Sequence, residues 1–209
     1  MQPIFITGIG TGIGKTIVAA IIVEALQADY WKPVQAGYDG GTDALVIKEL
    51  ISNSKSIIHS ELYKLKLAAS PHIAARNQGI RIDIGSIEGS IPSTSNTLII
   101  EGAGGLMVPL NETQFVSDLC EALKATLILV SRNYLGSINH SLMTAMICRQ
   151  KNLPVAGWIF NDQYLQYEDE IVAWSGYPKL ASIPALSSTN PLAVRSMAAT
   201  FRTQFNQLI

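Results

Sequence analysis

The segment "ITGIGTGIGKT", from Ile6 to Thr16, carries four glycines and ends on a lysine and a threonine. It resembles the phosphate-binding pattern G-x-x-x-x-G-K-[ST], except that Ile9 stands where the first glycine belongs and the loop, counted from Gly8, is one residue longer. Glycines allow left-handed backbone conformations that turn several N–H groups toward one anion. The glycines expected to be left-handed are Gly8, Gly10, Gly12 and Gly14. Lys15 adds a positive charge and Thr16 a hydroxyl for Mg²⁺, so the segment predicts a phosphate site, with a plain tight turn as the alternative.

The flanking residues indicate where this loop lies in the fold. "PIFIT", residues 3–7, is an apolar run typical of a short buried strand, and "TIVAAIIVEALQA", residues 16–28, is typical of a helix. The order of strand, loop and helix places a bound phosphate at a helix N-terminus. Free N–H groups and the helix dipole both favour an anion there.

Apolar runs recur along the chain and mostly alternate with helix-like segments, which predicts an α/β fold. Continuously apolar runs are typical of strands covered on both faces of a parallel sheet. We therefore expect one domain, residues 1–209, with a mostly parallel sheet, helices on both faces and the architecture of a P-loop nucleotide-binding protein. The polar stretch "SIEGSIPSTSNT", residues 86–97, predicts a loop. The other runs assigned to strands are "DYWKPV" (29–34), "NTLIIEGA" (96–103), "ATLILVS" (125–131), "PVAGWIF" (154–160) and "PKLASIP" (178–184).

The overall composition limits the possible partners. The 209 residues carry a net charge of −1, and no basic face or polybasic run argues for nucleic acid or an anionic membrane as the main partner. No apolar run is long enough to span a membrane and no leader pattern precedes the first strand, so we expect a cytoplasmic protein. Cys120 and Cys148 lie in apolar, helix-like segments without the spacing of a metal site, which predicts buried free thiols.

Charged residues at predicted strand ends are candidates for the chemistry, because ligands of parallel sheets bind at the carboxyl ends of the strands. Glu101 follows "TLII" and precedes "GAGG", which favours a Mg²⁺ ligand opposite Thr16, with an ordinary strand-end acid as the alternative. Asp43 in "GGTDAL" is either a site residue or the first residue of a helix capped by Thr42. Lys32 in "YWKPV" is either a site residue or a lysine that extends into solvent.

Seven segments, in order, resemble the dethiobiotin synthetase family over nearly the whole chain. The lengthened glycine loop alone indicates only the wider group of related ATPases and ligases, whereas "KPVQ", "EGAGG" and "GWIFND" together narrow it. The segments are "TGIGTGIGKT" (7–16), "KPVQAG" (32–37), "TDAL" (42–45), "SPHIAA" (70–75), "EGAGGLMVPL" (101–110), "LGSINH" (135–140) and "GWIFND" (157–162).

The resemblance implies an ATP- and Mg²⁺-dependent ligase that closes a ureido ring late in biotin synthesis. Its substrates are 7,8-diaminopelargonate, CO2 or bicarbonate, and ATP. One amine takes up CO2 to give a carbamate, ATP phosphorylates a carbamate oxygen, and the neighbouring amine attacks the mixed anhydride to form dethiobiotin and release phosphate. The resemblance also implies a homodimer in which the partner subunit binds the carboxylate at the far end of the diamine.

The resemblance further implies roles for matching residues of this chain. The implied metal ligands are Thr16, Asp43 and Glu101. The implied catalytic residues are Lys15, Lys32 and Thr11, of which Lys32 contacts both the carbamate and the γ-phosphate. The implied ATP-binding residues are Gly12, Ile13, Gly14, Lys15, Thr16, Ile17, Asp43, Glu101, Gly102, Ala103, Gly104, Asn161, which reads adenine, Asp162, Pro184, Ala185 and Leu186. The implied substrate-binding residues are Lys32, Ala36, Gly136, Ser137 and Asn139, the last also interpretable as a helix cap.

Three positions depart from the family pattern. Gly10 and Gly12 replace acidic residues often found in the loop, and Ala36 replaces a hydroxyl residue that usually meets the substrate. Three other classes stay open: a partition- or positioning-type ATPase, the synthetase half of a cobyrinate amidating enzyme, and a catalytically weakened nucleotide-binding module. The first carries a lysine four residues before the last glycine of the loop, where this chain has Gly10. The second is expected to continue into a glutaminase domain beyond Ile209.

Overall fold

The first strand, β1 (Ile4–Gly8), lies in the middle of a parallel sheet in the computed structural model, which describes residues 2–162 and 165–208. Met1, Gln163, Tyr164 and Ile209 lie outside the described residues. The other strands in the described ranges are β2 (Asp29–Trp31), β3 (Val34–Ala36), β4 (Ile58–His59), β5 (Tyr63–Leu65), β6 (Leu98–Glu101), β7 (Thr126–Arg132), β8 (Val155–Asn161) and β9 (Lys179–Ile183). The helices there are α1 (Lys15–Leu26), α2 (Asp43–Leu50), α3 (Pro71–Asn77), α4 (Ile84–Gly89), α5 (Val116–Ala122), α6 (Ser137–Gln150), α7 (Glu168–Ser175) and α8 (Pro191–Asn206).

The main sheet has seven strands in the order β4-β2-β6-β1-β7-β8-β9, and each neighbouring pair is parallel. In β1, Ile4 pairs with Ile99 of β6 on one side and with Thr126 of β7 on the other. This arrangement confirms the predicted α/β fold with a mostly parallel sheet. Because the strands run in the same direction, the segments that follow β1, β2, β6, β7 and β8 meet at one edge of the sheet.

Alternating side chains of the strands form two apolar layers, one on each face of the sheet. In β1, Ile4 and Ile6 belong to one layer and Phe5 to the other. Helices α1, α2 and α8 cover the first layer, and α3 to α7 cover the second. Both faces of the strands are therefore buried, which explains their continuously apolar sequences and confirms the prediction of helices on both faces.

The predicted strand "DYWKPV" is two strands that belong to different sheets. β2 ends at Trp31 and lies in the main sheet, whereas β3 begins at Val34 and pairs with β5 in a separate two-stranded parallel sheet. Pro33 lies between them, and proline cannot donate a hydrogen bond to a strand ladder. The prediction of one continuous strand is therefore wrong, and the break leaves Lys32 at the edge where the site forms.

The predicted loop at residues 86–97 begins inside a helix. Helix α4 extends to Gly89, and the Asp83 side chain caps its start by accepting a hydrogen bond from the Ser86 N–H at 2.7 Å. An aspartate N-cap is a common start signal, and it stands just before the stretch assigned to the loop. The loop prediction is therefore wrong for residues 86–89.

Two expectations from composition concern thiols and membranes. Cys120 and Cys148 are free and buried, as predicted. Burial raises the pKa of Cys148 to about 12 and raises the pKa of Cys120 well above its ordinary value, so both thiols stay protonated at neutral pH. Among the described residues, every helix is too short or too polar to span a bilayer.

Candidate active site

The loop between β1 and α1 uses its glycines in two different ways. Gly12 has a φ of 72° and Gly14 a φ of 88°, both left-handed, and Gly14 is the N-cap of α1. Gly8 and Gly10 have no positive φ, so the prediction of four left-handed glycines is wrong for these two. Gly8 is required for space instead, since a Cβ there would lie 2.2 Å from the carbonyl oxygen of Val130.

Asn161, at the end of β8, lies directly against this loop. Its Nδ2 donates to the carbonyl oxygen of Ile13 at 2.9 Å, and a Cβ on Gly14 would lie 1.9 Å from the same nitrogen. Asp162 follows with a left-handed φ of 75°, and its carboxylate accepts from the Arg132 guanidinium at 3.1 Å. The predicted adenine-reading segment is therefore next to the loop, at the carboxyl edge of the sheet.

Lys15, the first residue of α1, reaches across the loop. Its Nζ donates to the carbonyl oxygen of Gly10 at 2.6 Å, and the side chain is buried. Burial lowers the pKa of Lys15 to about 8; attraction by Glu101 and Asp43 opposes this shift and repulsion by Lys32 adds to it. A phosphate at the loop would give this poorly solvated ammonium a negative partner, and charge pairs are strongest in such surroundings.

Two carboxylates meet at the hydroxyl of Thr16. Thr16 Oγ1 lies 3.0 Å from Asp43 Oδ1 and 3.1 Å from Glu101 Oε1. Glu101 is buried at the last position of β6. Asp43 is the first residue of α2, and Thr42 is the N-cap of that helix. Both interpretations of Asp43, helix start and site residue, therefore describe the same position.

Lys32 is held between these carboxylates. Its Nζ forms an ion pair with Asp43 and lies 3.0 Å from Glu101 Oε1. The side chain is 7% exposed, so it does not extend into solvent. Burial alone would lower the pKa of Lys32, but attraction by Glu101 and Asp43 outweighs burial and raises it. Burial would likewise raise the pKa of Asp43, and Lys32 reverses that shift and lowers it.

Tyr30 is a site residue that the sequence patterns do not indicate. Its hydroxyl donates to Glu101 Oε2 at 2.8 Å, and its side chain is completely buried. Burial, followed by the charge of Glu101, raises the pKa of Tyr30 well above its ordinary value, so the hydroxyl keeps its proton. The two-residue alternation of a strand, which places Tyr30 with Lys32 and opposite to Trp31, is the signal that could have identified it.

The oxygen atoms at this point fit Mg²⁺. The Asp43 and Glu101 carboxylates each lie within hydrogen-bond distance of the Thr16 hydroxyl, and both already face a cation, the ammonium of Lys32. Mg²⁺ is usually held by one or two carboxylates together with substrate phosphates and water. No cluster of three or more His, Cys, Asp and Glu side chains able to hold a metal occurs within residues 2–162 and 165–208.

The glycine loop, the two lysines and the two carboxylates line one cleft of about 750 Å³, a volume within the range of small-molecule sites. The predicted site residues that line it are Thr11, Gly12, Gly14, Lys15, Thr16, Ile17, Lys32, Ala36, Asp43, Glu101, Ala103 and Gly104. The lining residues that were not predicted are Gln35, Ala68, Ala69, Ser70, Pro71 and Val108.

Two of the unpredicted lining residues have clear local roles. Gln35 Oε1 accepts from the Asp43 N–H at 3.2 Å, and its Nε2 donates to the Gly37 carbonyl oxygen at 2.8 Å, so Gln35 fixes the start of α2. Ser70 supplies a hydroxyl, 3.0 Å from His72 Nδ1, to the same cleft. Both stand in segments that carry the family resemblance, "KPVQAG" and "SPHIAA", and this resemblance is the signal that could have identified them.

The remaining predicted residues lie outside the lining of this cleft. Gly136, with a φ of 102°, is the N-cap of α6, so the interpretation of Asn139 as a helix cap is wrong; its side chain is exposed in the first turn. Ser137 is buried, and its Oγ lies 2.7 Å from the hydroxyl of Tyr167. The full set outside the lining is Ile13, Gly102, Gly136, Ser137, Asn139, Asn161, Asp162, Pro184, Ala185 and Leu186.

Comparison with known sequences gives matches over most of the chain. A family model described as an AAA domain matches residues 2–193. The ATP-dependent dethiobiotin synthetase of Cytophaga hutchinsonii is 49% identical over 185 residues, which is 88% of each chain. That of Christiangramia forsetii is 40% identical over 205 residues, 98% of each chain. That of Rhodopseudomonas palustris strain BisB18 is 39% identical, over 98% of this chain and 96% of its own.

Comparison with solved structures gives more distant matches. The MinD cell division protein of Aquifex aeolicus covers 100% of this chain and 97% of its own, with a TM-score of 0.63 and 16% identity. A ParA family ATPase from Chlorobium tepidum covers 95% of this chain and 98% of its own, with a TM-score of 0.57 and 15% identity. At such low identity, the likeness shows a shared fold and nothing more.

Proposed function

Because the chain belongs to the ATP-dependent dethiobiotin synthetase family, we infer that it is a ligase that uses ATP to form the ureido ring of dethiobiotin in biotin synthesis. One observation of the structure carries the inference. Lys32, which has no counterpart in the phosphate-binding pattern itself, lies in the same cleft as that loop, as a buried ammonium between two carboxylates. It gives the site a second cation, suited to an anionic acceptor beside the nucleotide.

We propose that the loop binds the phosphates of ATP through backbone N–H groups at the start of α1, to which Lys15 adds its charge. Thr16, Asp43 and Glu101 would hold Mg²⁺, which when bound neutralises phosphate charge as a Lewis acid. Phosphoryl transfer spreads negative charge over the γ-phosphate oxygens, so positioned cations are the main contribution of the protein. Lys15 and Lys32 supply two of these cations, and Thr11, a residue of the loop, also lines the cleft.

The proposed reaction has three steps. One amine of 7,8-diaminopelargonate adds to CO2 and loses a proton, which gives a carbamate. A carbamate oxygen attacks the γ-phosphorus of ATP while the bond from this phosphorus to the bridging oxygen breaks, which releases ADP. The second amine attacks the carbamate carbon, loses a proton and expels inorganic phosphate, which closes the ring. The Lys32 ammonium, which lines the same cleft as the glycine loop, would contact both the carbamate and the γ-phosphate and so hold the two anions together.

We further propose how the rest of the diamine binds. Ala36 and Ser70 line the same cleft, and the Ser70 hydroxyl is suited to an amine that meets only a methyl group at Ala36. The first turn of α6, from Gly136 to Asn139, presents backbone N–H groups that suit the tail carboxylate, of which that of Ser137 already donates to the Tyr134 carbonyl oxygen at 2.9 Å. These residues do not line the cleft of their own subunit, which supports a homodimer with a shared site. We expect the enzyme to act in the cytoplasm.

The test is a phosphate-release assay in which dethiobiotin is measured in parallel by mass spectrometry. The complete mixture contains ATP, Mg²⁺, bicarbonate and the diamine, and each component is omitted in turn. We expect ATP cleavage to require diamine and bicarbonate together, because the acceptor oxygen exists only after the carbamate has formed. If ATP is cleaved equally fast without the diamine, the protein is not a ligase but a nucleotide-driven switch of the partition type. Gly10, which stands where that class carries a lysine, argues against the switch.

A further inference from the structure

Glu101 uses its two carboxylate oxygens differently. Oε1 faces the cleft, 3.1 Å from Thr16 Oγ1 and 3.0 Å from Lys32 Nζ. Oε2 faces the interior and accepts a hydrogen bond from the Tyr30 hydroxyl at 2.8 Å. The carboxylate is therefore held from both sides, by Tyr30 at one oxygen and by Thr16 and Lys32 at the other.

The sheet explains why Tyr30 reaches this oxygen. β2 and β6 are neighbours, and their register pairs Tyr30 with Ile99, so Glu101 lies two residues further along the adjacent strand. Diagonal neighbours of this kind are about 7–8 Å apart, a distance that a long aromatic side chain spans. Tyr30 and Ile99 belong to the apolar layer beneath α1, the helix that carries Thr16. Tyr30 does not line the cleft, so it acts on a ligand there only through Glu101.

We propose that Tyr30 is a positioning residue: by holding Glu101 Oε2, it turns Oε1 toward the metal and sets the affinity of the site for Mg²⁺ in the presence of ATP. The terminal torsion of a glutamate is broad, and without the Tyr30 hydrogen bond only the contacts of Oε1 with Thr16 and Lys32 would orient the carboxylate. Groups that orient a metal ligand typically contribute about tenfold to a hundredfold in metal affinity. The inference rests on the proposed Mg²⁺ and ATP site, and it is independent of which acceptor receives the phosphate.

A purely structural role for Tyr30 makes a different prediction. The ring packs in the apolar layer, and its loss would weaken the fold in general. Tyr30→Phe keeps the ring and removes only the hydroxyl, so it separates packing from the hydrogen bond. A structural defect would weaken ATP binding with and without Mg²⁺, whereas a defect in orienting Glu101 would appear only with Mg²⁺.

The experiment is a set of calorimetric ATP titrations on the full chain, in EDTA and over a series of Mg²⁺ concentrations. For Tyr30→Phe we expect the half-saturating Mg²⁺ concentration to rise by about tenfold to a hundredfold. The ATP affinity in EDTA should stay within about twofold of wild type, since the loop and Lys15 are intact. An unchanged Mg²⁺ requirement, or an equal loss of affinity in EDTA, would overturn the proposal.

Two further variants make the result specific. Tyr63→Phe is the matched control, because its hydroxyl accepts from the Asp83 N–H at 3.1 Å and lies outside the cleft lining; its Mg²⁺ requirement should equal that of wild type. In the Glu101→Ala background, which leaves no carboxylate for Tyr30 to orient, Tyr30→Phe should add no further change. A further tenfold rise in that background would sink the proposal. Tyr30→Met, which lacks the hydroxyl, carries the same test should Tyr30→Phe fail to fold.

The readout separates this inference from the proposed function. Binding is measured without diamine or bicarbonate, so a chain that makes no dethiobiotin still reports the effect of Tyr30. A wild-type chain whose ATP affinity does not depend on Mg²⁺ would overturn the role of Tyr30 together with the metal site. A chain with a clear Mg²⁺ dependence and no dethiobiotin would overturn the ligase reaction alone.

Discussion

Two buried lysines face the same cleft with opposite shifts of pKa. Burial lowers the pKa of Lys15 to about 8, whereas attraction by Glu101 and Asp43 overcomes the effect of burial and raises the pKa of Lys32. Lys32 therefore carries its charge throughout the neutral range, and Lys15 lacks a close carboxylate of its own. The difference suits two roles. Lys15 would gain a negatively charged partner when a phosphate binds, whereas Lys32 is already held in place by its two carboxylates.

Lys32→Ala should separate nucleotide binding from phosphoryl transfer. ATP affinity, measured by calorimetry, should stay close to wild type, because the loop and Lys15 provide most of it. Turnover should fall by about a hundredfold to a thousandfold, which corresponds to the loss of one preorganised cationic contact. Lys32→Arg should restore only part of it, since a planar guanidinium cannot replace a compact ammonium between two oxyanions. The control is Lys48→Ala, which changes an exposed lysine of α2 and should leave turnover at the wild-type level. Normal turnover of Lys32→Ala would refute the catalytic role of Lys32.

Glu101→Gln should act on the metal. The variant keeps the size and the Tyr30 hydrogen bond but loses the charged oxygen, so turnover at fixed Mg²⁺ should fall by about a hundredfold. Part of the lost turnover should be recovered as the Mg²⁺ concentration is raised in a steady-state assay. Glu121→Gln, which alters an exposed glutamate of α5, should behave like wild type. Wild-type turnover of Glu101→Gln at ordinary Mg²⁺ would remove Glu101 from the metal site.

Residues of the site could be predicted where the sequence places them directly after an apolar strand. Glu101 is the last residue of β6 and Lys32 follows β2, and both line the cleft. Tyr30 could not be predicted in this way, because its partner stands 71 positions away and only the register of β2 against β6 brings them together. Ser70 stands in a family segment, but no local pattern in the sequence shows that its loop faces the cleft.

Among the secondary structure elements, β2 depends on a buried carboxylate at its first residue. Asp29 accepts hydrogen bonds from the Ile57 N–H at 2.9 Å, the Thr94 hydroxyl at 2.7 Å and the Asn96 amide at 2.9 Å. These bonds tie the start of β2 to the segments that precede β4 and β6. Burial alone would raise the pKa of Asp29, but the hydrogen bonds, that of Asn96 first among them, outweigh burial and lower it.

Asp29→Asn should destabilise the fold by about 2 kcal/mol at neutral pH, since hydrogen bonds to a charged acceptor are lost. The pKa of Asp29 is lower in the folded than in the unfolded state, so its contribution is complete above the unfolded value of about 4 and is lost as the pH falls through the folded value. Urea denaturation from pH 7 downward should show the two proteins converge below about pH 4. Asp169→Asn, an exposed acid paired with Lys179, should change stability by less than about 0.5 kcal/mol. A constant difference at all pH values would contradict the linkage.

Long elements could be predicted and short ones could not. The nearly continuous apolar residues of β1, β6, β7 and β8 predict these strands, and β9 is predicted although it contains Lys179 and Ser182. β3, β4 and β5 have two or three residues each, which is too short for any periodicity, and their pairing depends on residues far along the chain. Helix α4 was missed for a similar reason, since six residues give fewer than two turns.

For the whole molecule, the proposed shared site predicts complementation between inactive variants. An equal mixture of Lys15→Ala and Asn139→Ala chains, after subunit exchange, should recover about a quarter of wild-type activity, because half of the dimers are mixed and one of their two sites is intact. Lys15→Ala mixed with Lys32→Ala is the matched control. Both residues line one subunit's cleft, so no activity should return. Demonstrated exchange without recovery in the first mixture would contradict the shared site.

The central position of β1 has a consequence for synthesis on the ribosome. Ile4 emerges among the first residues, yet it pairs with Ile99 and with Thr126, so one edge of β1 stays uncovered until β6 is made and the other until β7 is made. Until β7 has emerged, the nascent chain exposes an apolar strand that other chains can join, and the loop after it lacks the carbonyl oxygen of Val130 against which Gly8 packs. ATP capture by the growing polypeptide should therefore begin late, after β7 has left the exit tunnel, and chaperones that shield the first strand should have a long interval in which to act.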